Sequence, residues 1–328
     1  MNLELVELDP HRAERADLAE YVRIWRTHAD PEDGAVDYDS LVARMRNPFP
    51  GLGAAGYRLV RAGDGVVGLV YLRFPEDENR HLALAEVVVH PDHRRRGIGT
   101  AAVRALLPEL RARGRRVVEG WLVEAGGPGD RWARTLGFRT VRSVTRMALD
   151  LAGADRSRWV VEPPAGYRLE RWTDAAPREL LASYARARCA IHDAPSGRSE
   201  FRSPDWTPRR VREAERENRA KGITQRVVAA LCGDAVVGLT EVVRPPRRRD
   251  EYLQGDTAVL AAHRGRRIGL WLKGEMARWL LAEEPGLTRV STATDSDNEH
   301  MIRVNHEMGF HITETRLVIA HGVEGIRV

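Results

Sequence analysis

Two stretches of the chain carry the same punctuation 170 positions apart, and this repeat limits the fold more than any other feature. "AGDGVVGL" at Ala62–Leu69 matches "CGDAVVGL" at Cys232–Leu239. At the same offset His93 faces His263, Arg94 faces Arg264, Arg96 faces Arg266, and Ile98-Gly99 faces Ile268-Gly269. Further on, "LGFRTV" at Leu136–Val141 echoes "MGFHIT" at Met308–Thr313, with the offset grown to 172. Solenoid repeats run about 20–50 residues, so a repeat of this length is a duplicated domain. The 328 residues suffice for two cores. The reading is a first domain over 1–150, a linker over 151–164 and a second domain over 165–328. The break falls in "GADRSRWVVEPPAGY", where a proline pair and glycines interrupt any periodic pattern.

Each half reads as α/β. "LELVEL" and "YRLERW" are first strands, followed by the helical patterns "RADLAEYVRIW" and "PRELLASYARARCAI". "GYRLVRAGDGVVGLVYLRF" and "RVVAALCGDAVVGLTEVV" are hairpins around Gly-Asp turns. A further strand, "LALAEVVV" or "QGDTAVLA", leads into an arginine-glycine loop and then a helix. Val103, Leu106, Leu107 and Leu110 form the apolar stripe of that helix in one copy; Leu272, Met276, Trp279 and Leu280 form it in the other. Pro108 is expected to kink or loosen the first of these helices. Helices between strands predict one mixed sheet per half, with helices on both faces.

A strand that ends in a loop with bare amides, followed by a helix N-terminus, is an anion site. Unpaired N–H groups and the positive helix end point at one place. Glycine lets a phosphate approach the backbone, and arginine adds forked donors. That combination suits a pyrophosphate. Composition narrows the alternatives. The net charge is +5, but the arginines are spread along the chain and aromatics are only 6%, so nucleic acid is not the expected partner. No apolar run is long enough to span a membrane, and no secretory leader is read. Two cysteines, Cys189 and Cys232, make no disulfide framework; a cytoplasmic protein is expected. The histidines show no ligand spacing, so no metal is expected.

"VVVHPDHRRRGIG" resembles the acetyl-CoA-binding motif of the GCN5-related N-acetyltransferases. Arg94, Gly97 and Gly99 fit that motif in full. The second copy fits at Arg264 and Gly269 but has Arg267 at the middle glycine. The trailing Gly137-Phe138 and Gly309-Phe310 also match the family, and the layout is similar to the tandem enzyme mycothiol synthase. The resemblance implies two acyl-CoA N-acyltransferase domains. It implies that Val87, Val88 and Val89, and Thr257, Ala258 and Val259, pair with the pantetheine arm. The pyrophosphate would lie on Arg94, Arg95, Arg96, Gly97, Ile98, Gly99 and Thr100, and on Arg264, Gly265, Arg266, Arg267, Ile268, Gly269 and Leu270. Asn298 either touches the cofactor or caps a helix.

An alkylamine acceptor arrives protonated, with a pKa of about 10, and must lose a proton before it attacks a thioester. Glu86 and Asp256, equivalent at the 170 offset, are the candidate bases. Family members often protonate the thiolate with a tyrosine four residues before the Gly-Phe glycine. Here Ala133 and Asn305 stand there, which leaves Asn305 as a hydrogen-bond donor. His192, Asp193 and Trp206 are candidates for the acceptor pocket. The expected function is acetyl transfer from acetyl-CoA to a small amine by direct attack in a ternary complex, in a monomer or homodimer. The chemistry is expected in the second half. A non-catalytic acyl-CoA-binding module and a protein or peptide acetyltransferase stay open as alternatives.

Overall fold

A computed structural model describes residues 3–28, 37–246 and 249–327. In chain order the first pass gives β1 (Leu3–Glu7), α1 (Arg15–Arg26), α2 (Tyr38–Arg46), β2 (Ala54–Ala62), β3 (Gly65–Phe74), β4 (Leu82–Val89), α3 (Ile98–Ala112), β5 (Val117–Glu124), α4 (Pro128–Thr135) and β6 (Arg139–Asp150). The second pass gives β7 (Tyr167–Thr173), α5 (Leu181–Arg188), α6 (Pro208–Ala220), β8 (Thr224–Cys232), β9 (Ala235–Arg244), β10 (Glu251–Val259), α7 (Ile268–Glu283), β11 (Arg289–Asp295), α8 (Glu299–Met308) and β12 (His311–Gly322). The duplication is thus visible element by element.

The compact units do not follow the chain order. One consists of Met1–Val141, Ser199–Phe201 and Leu317–Val328; the other consists of Arg142–Arg198 and Arg202–Arg316. In the first unit the strands run β1-β2-β3-β4-β5, followed by the end of β12. In the second they run β6-β11-β10-β9-β8-β7. β6 lies before the linker in sequence, yet its Val144–Asp150 pair antiparallel with β11. The domain limits read from sequence, 1–150 and 165–328, therefore differ from these units at both final strands. Strand patterning specifies an element but not the sheet that it joins.

Within each unit the β alternation sends neighbours to opposite faces. In the first, Leu59 and Leu69 pack with Leu18, Val22 and Met45 of α1 and α2. Val60, Val70 and Leu72 pack with Leu106, Leu107 and Leu110 of α3, joined by Ile319 and Val323 from the C-terminal segment. In the second, Val227, Ala229 and Leu239 meet Tyr184 and Val211 of α5 and α6, while Val228, Ala230 and Val242 meet Leu272, Met276 and Leu280 of α7. Each fully buried leucine or valine stabilises by about 2 kcal/mol. The sheets are mixed: β4–β5 and β10–β11 are parallel, and the hairpins are antiparallel.

Two local expectations resolve differently. α3 runs through Pro108 as one helix. Pro108 and Arg104 both lie on the exposed face, so the carbonyl that loses its partner is open to water. α6 starts as its sequence suggests, with Thr207 Oγ1 accepting from Arg210 N at 3.2 Å and Pro208 in the first turn.

Candidate active site

β4 stays paired with β3 to its end, but it pairs with β5 only over Leu82–Leu84. β10 likewise holds β9 out to Val259 and meets β11 only over Glu251–Leu253. Past those points the parallel neighbours part, which leaves Val87–Val89 and Thr257–Val259 without a strand partner on that side among the described residues. Such an edge can receive an extended ligand arm as an added strand. The duplicated "VVGL" glycine serves this strand. A Cβ on Gly68 would stand 2.7 Å from the Val88 carbonyl oxygen, and one on Gly238 would stand 3.2 Å from that of Ala258.

The loops after both strands have one backbone shape written with different residues. Arg95 (φ 64°) and Gly97 (φ 76°) are left-handed in the first; Gly265 (φ 77°) and Arg267 (φ 58°) are left-handed in the second. Each copy thus spends one glycine and one arginine on the same two positions, and the arginine costs about 1–2 kcal/mol there. Arg267 does not break the motif; it keeps the geometry at a cost in strain. Among the described residues no side chain caps α3 or α7. The first-turn N–H groups of Ile98, Gly99 and Thr100, and of Ile268, Gly269 and Leu270, therefore belong to two uncapped helix starts fit for a pyrophosphate. The Ile98, Ile268 and Leu270 side chains turn into the cores, so only their backbones serve the loops. Arg95, Arg96, Arg266 and Arg267 are exposed.

Some candidate side chains are already engaged. Arg94 Nε donates to the Val89 carbonyl at 3.1 Å and Arg264 Nε to that of Val259 at 2.8 Å, so both guanidinium groups brace the strand ends. Thr100 Oγ1 accepts from Trp132 Nε1 at 3.1 Å, and the Trp132 ring lies against Gly99. In the second unit a Cβ on Gly269 would meet only Thr257 Cγ2, at 4.0 Å. Asn298 Oδ1 accepts from Met301 N at 3.1 Å: it caps α8, and that bond replaces its reading as a cofactor contact.

The two carboxylates at the strand ends differ. β4 passes β3 without a slip, placing Glu86 opposite Tyr71, and His28 Nε2 lies 2.7 Å from Glu86 Oε1. In β10 the register slips between Gln254 and Thr257, so Gly255 and Asp256 together oppose Glu241. Such a bulge re-aims a side chain. Burial, and then the Glu241 carboxylate, push the Asp256 carboxyl up to about 6; Arg188 and His192 pull the other way.

Around Asp256, Arg188 Nη2 bonds Glu241 Oε1 at 3.0 Å and Gln225 Nε2 bonds Glu241 Oε2 at 2.7 Å. Trp206 lies 3.5 Å under the Arg188 guanidinium, so it supports that ion pair rather than forming a bare pocket wall. His192 Nε2 stands 3.2 Å from the Ser203 carbonyl oxygen, and Asp193 pairs with Arg264 at 2.5 Å. Asn305 is completely buried; its Nδ2 reaches Met147 Sδ at 3.5 Å, and its Oδ1 has no partner among the described residues. The sequence reading missed Arg188, Glu241 and Gln225. The usable signal was Glu241 and Tyr71 at the same 170 offset, directly across from the two candidate bases.

Residues 18–141 and 191–310 each match the family model for the acetyltransferase (GNAT) family. The chain belongs to the acetyltransferase (GNAT) family. It is 42% identical over 78 residues to a mycothiol acetyltransferase of Parafrankia sp., covering 24% of this chain and 23% of that protein. It is 34% identical over 136 residues to that of Mycobacterium avium, covering 42% and 40%. The matched stretches thus span less than half the length of either relative. Across the whole chain, the structure of a tandem GNAT protein from the clavulanic acid biosynthesis pathway superposes with a TM-score of 0.75 at 25% identity, covering 98% of this chain and 99% of that one. A GCN5-related N-acetyltransferase from Sphaerobacter thermophilus shares the fold, with a TM-score of 0.72, 18% identity and coverage of 98% and 96%.

Proposed function

We propose that the chain is an acetyl-CoA-dependent N-acetyltransferase acting on a small primary amine, with its chemistry in the second unit. Family membership supports the cofactor. The strand edges without a strand partner, the uncapped helix starts and the open space around Gly97 and Gly265, where a Cβ would meet nothing within 4 Å, fit a pantetheine arm and a pyrophosphate. When bound, acetyl-CoA supplies an activated acetyl thioester. Thr257, Ala258 and Val259 offer backbone groups that hold and orient the arm. The backbone from Gly265 to Leu270, with the exposed Arg266 and Arg267, holds the anionic end.

The observation that carries the assignment is the bulge that presents Asp256, whose elevated pKa suits a general base. Its carboxylate takes the proton from the acceptor's ammonium, either directly or through one water, so that a neutral amine can attack. The Glu241 carboxylate beside Asp256 adds to its basicity, and Arg188, paired with Glu241, moderates it. Asn305, at the position of the family's tyrosine, is completely buried with its Nδ2 on Met147 Sδ, so it takes no part and the departing thiolate takes its proton from water. Glu86, held by His28, is not assigned this role.

The test is acetyl transfer from acetyl-CoA across a panel of primary amines, read as free thiol. Asp256→Asn is expected to lower kcat by about 100-fold or more while CoA binding persists. Gly269→Glu is expected to abolish cofactor binding at the second loop. Full activity in Asp256→Asn, or loss in Glu86→Gln alone, would overturn the assignment to the second unit.

A further inference from the structure

The stretch between α5 and α6 is divided between the two units. Its ends lie with Asp256 in the second unit: His192 pulls on the Asp256 carboxyl, Asp193 pairs with Arg264, and Trp206 lies under Arg188. Its middle does not. Ser199–Phe201 belong to the first unit, while Arg198 and Arg202 on either side belong to the second. The socket that takes these three residues is built on β5 around Glu119, which is completely buried. Ser199 Oγ donates to Glu119 Oε1 at 2.9 Å, Glu200 N donates to the same oxygen at 3.0 Å, and Trp121 Nε1 donates to Oε2 at 2.8 Å. Ser199 Oγ in turn accepts from Phe201 N at 3.2 Å. The Phe201 ring stands edge-on to Trp121 at 5.0 Å, and His81 Nε2 lies 3.1 Å from Glu200 Oε2. A carboxylate taken out of water needs donors on both oxygens, so the socket demands the segment that fills it.

The duplication shows that the socket is an addition to the scaffold. Glu119 is the last residue of β5 paired with β4, opposite Leu84; the last such residue of β11 is Ser291, opposite Leu253. Two residues on, and so on the same face, Trp121 corresponds to the exposed Ala293. The second copy thus has small side chains where the first has a carboxylate and a ring. We infer that Glu119 is a positioning residue for acetyl transfer in the second unit: by seating Ser199–Phe201 it fixes the loop whose ends frame Asp256. This rests on the reading of Asp256 as the base. With the segment seated, the stretch from His192 to Trp206 is held at both ends and in the middle, and His192 Nε2 also meets the Ser203 carbonyl oxygen at 3.2 Å. An acceptor then meets a loop already ordered. Without the seat the acceptor would have to order it, which weakens binding but leaves the step after binding intact.

The test is steady-state acetyl transfer by the full chain, using the panel amine that the unaltered chain turns over fastest. Ser199→Ala and Phe201→Leu are each expected to raise the KM for that amine by about tenfold, with kcat and the KM for acetyl-CoA within about twofold of the unaltered chain. Phe201→Tyr, which keeps the ring, should retain the original KM. Amide hydrogen exchange over residues 194–206 should quicken in the first two variants and not in the third. An unchanged amine KM in Ser199→Ala and Phe201→Leu, with or without faster exchange, would overturn the inference alone. So would an equal loss in Phe201→Tyr, or a fall in kcat together with a rise in the acetyl-CoA KM. No transfer by the unaltered chain would overturn the enzymatic reading itself, and this inference with it.

Discussion

Lys273 is one of only two lysines in the chain, and it is 3% exposed in the second unit. Its ammonium lies over the Phe310 ring at 5.1 Å, and burial alone pulls its pKa down to about 7. In the unfolded chain it titrates near its ordinary value of about 10.4. Between those limits the unfolded state binds the extra proton, so stability rises with pH from about 7 toward 10 and is least below 7. Denaturant midpoints across that range should show the rise, and Lys273→Met should flatten it while raising the midpoint at pH 7. Asp256 gives the complementary kinetic signature. On the proposed role of Asp256 as general base, kcat/KM should fall as pH drops through about 6, and that limb should vanish in Asp256→Asn. The 170 offset singled out this aspartate as a candidate base. Its raised pKa was not legible, because that depends on Glu241, Arg188 and a register slip that arise only from strand pairing.

At the level of the element, the repeated glycine in each hairpin is a steric requirement. Gly68→Ala would drive a methyl to 2.7 Å from the Val88 oxygen, and Gly238→Ala to 3.2 Å from that of Ala258. Thermal melts should show both variants destabilised, Gly68→Ala by about 1–3 kcal/mol and Gly238→Ala by less. The loops teach a related lesson. Arg267 reads in sequence as a departure from the glycine motif, yet its left-handed backbone reproduces that of Gly97. Hairpins, helical stripes and loop order were legible because they rest on short-range periodicity and punctuation. The roles of Arg94 and Arg264 were not, because each side chain folds back on a nearby backbone carbonyl that spacing alone does not identify; the cap by Asn298 was one of its two readings.

For the whole molecule, the exchange of final strands decides how the chain can be divided. A fragment ending at residue 150 lacks the segment from Leu317 that follows β5 in the first unit. A fragment beginning after the linker lacks β6, the partner of β11. Expressed alone, each should expose an unpaired strand edge and aggregate or melt without a cooperative transition. Co-expressed, the two should recover a single soluble species, checked by size-exclusion chromatography and circular dichroism. A stable, cooperatively folded 1–150 fragment would contradict this. The duplication showed two domains in the sequence; which sheet each last strand completes was beyond it.

That interchange also bears on how the gene can change over time. A copy whose reactivity has decayed cannot be deleted, because its sibling would lose an edge with it. Selection for one working half therefore preserves the architecture of both.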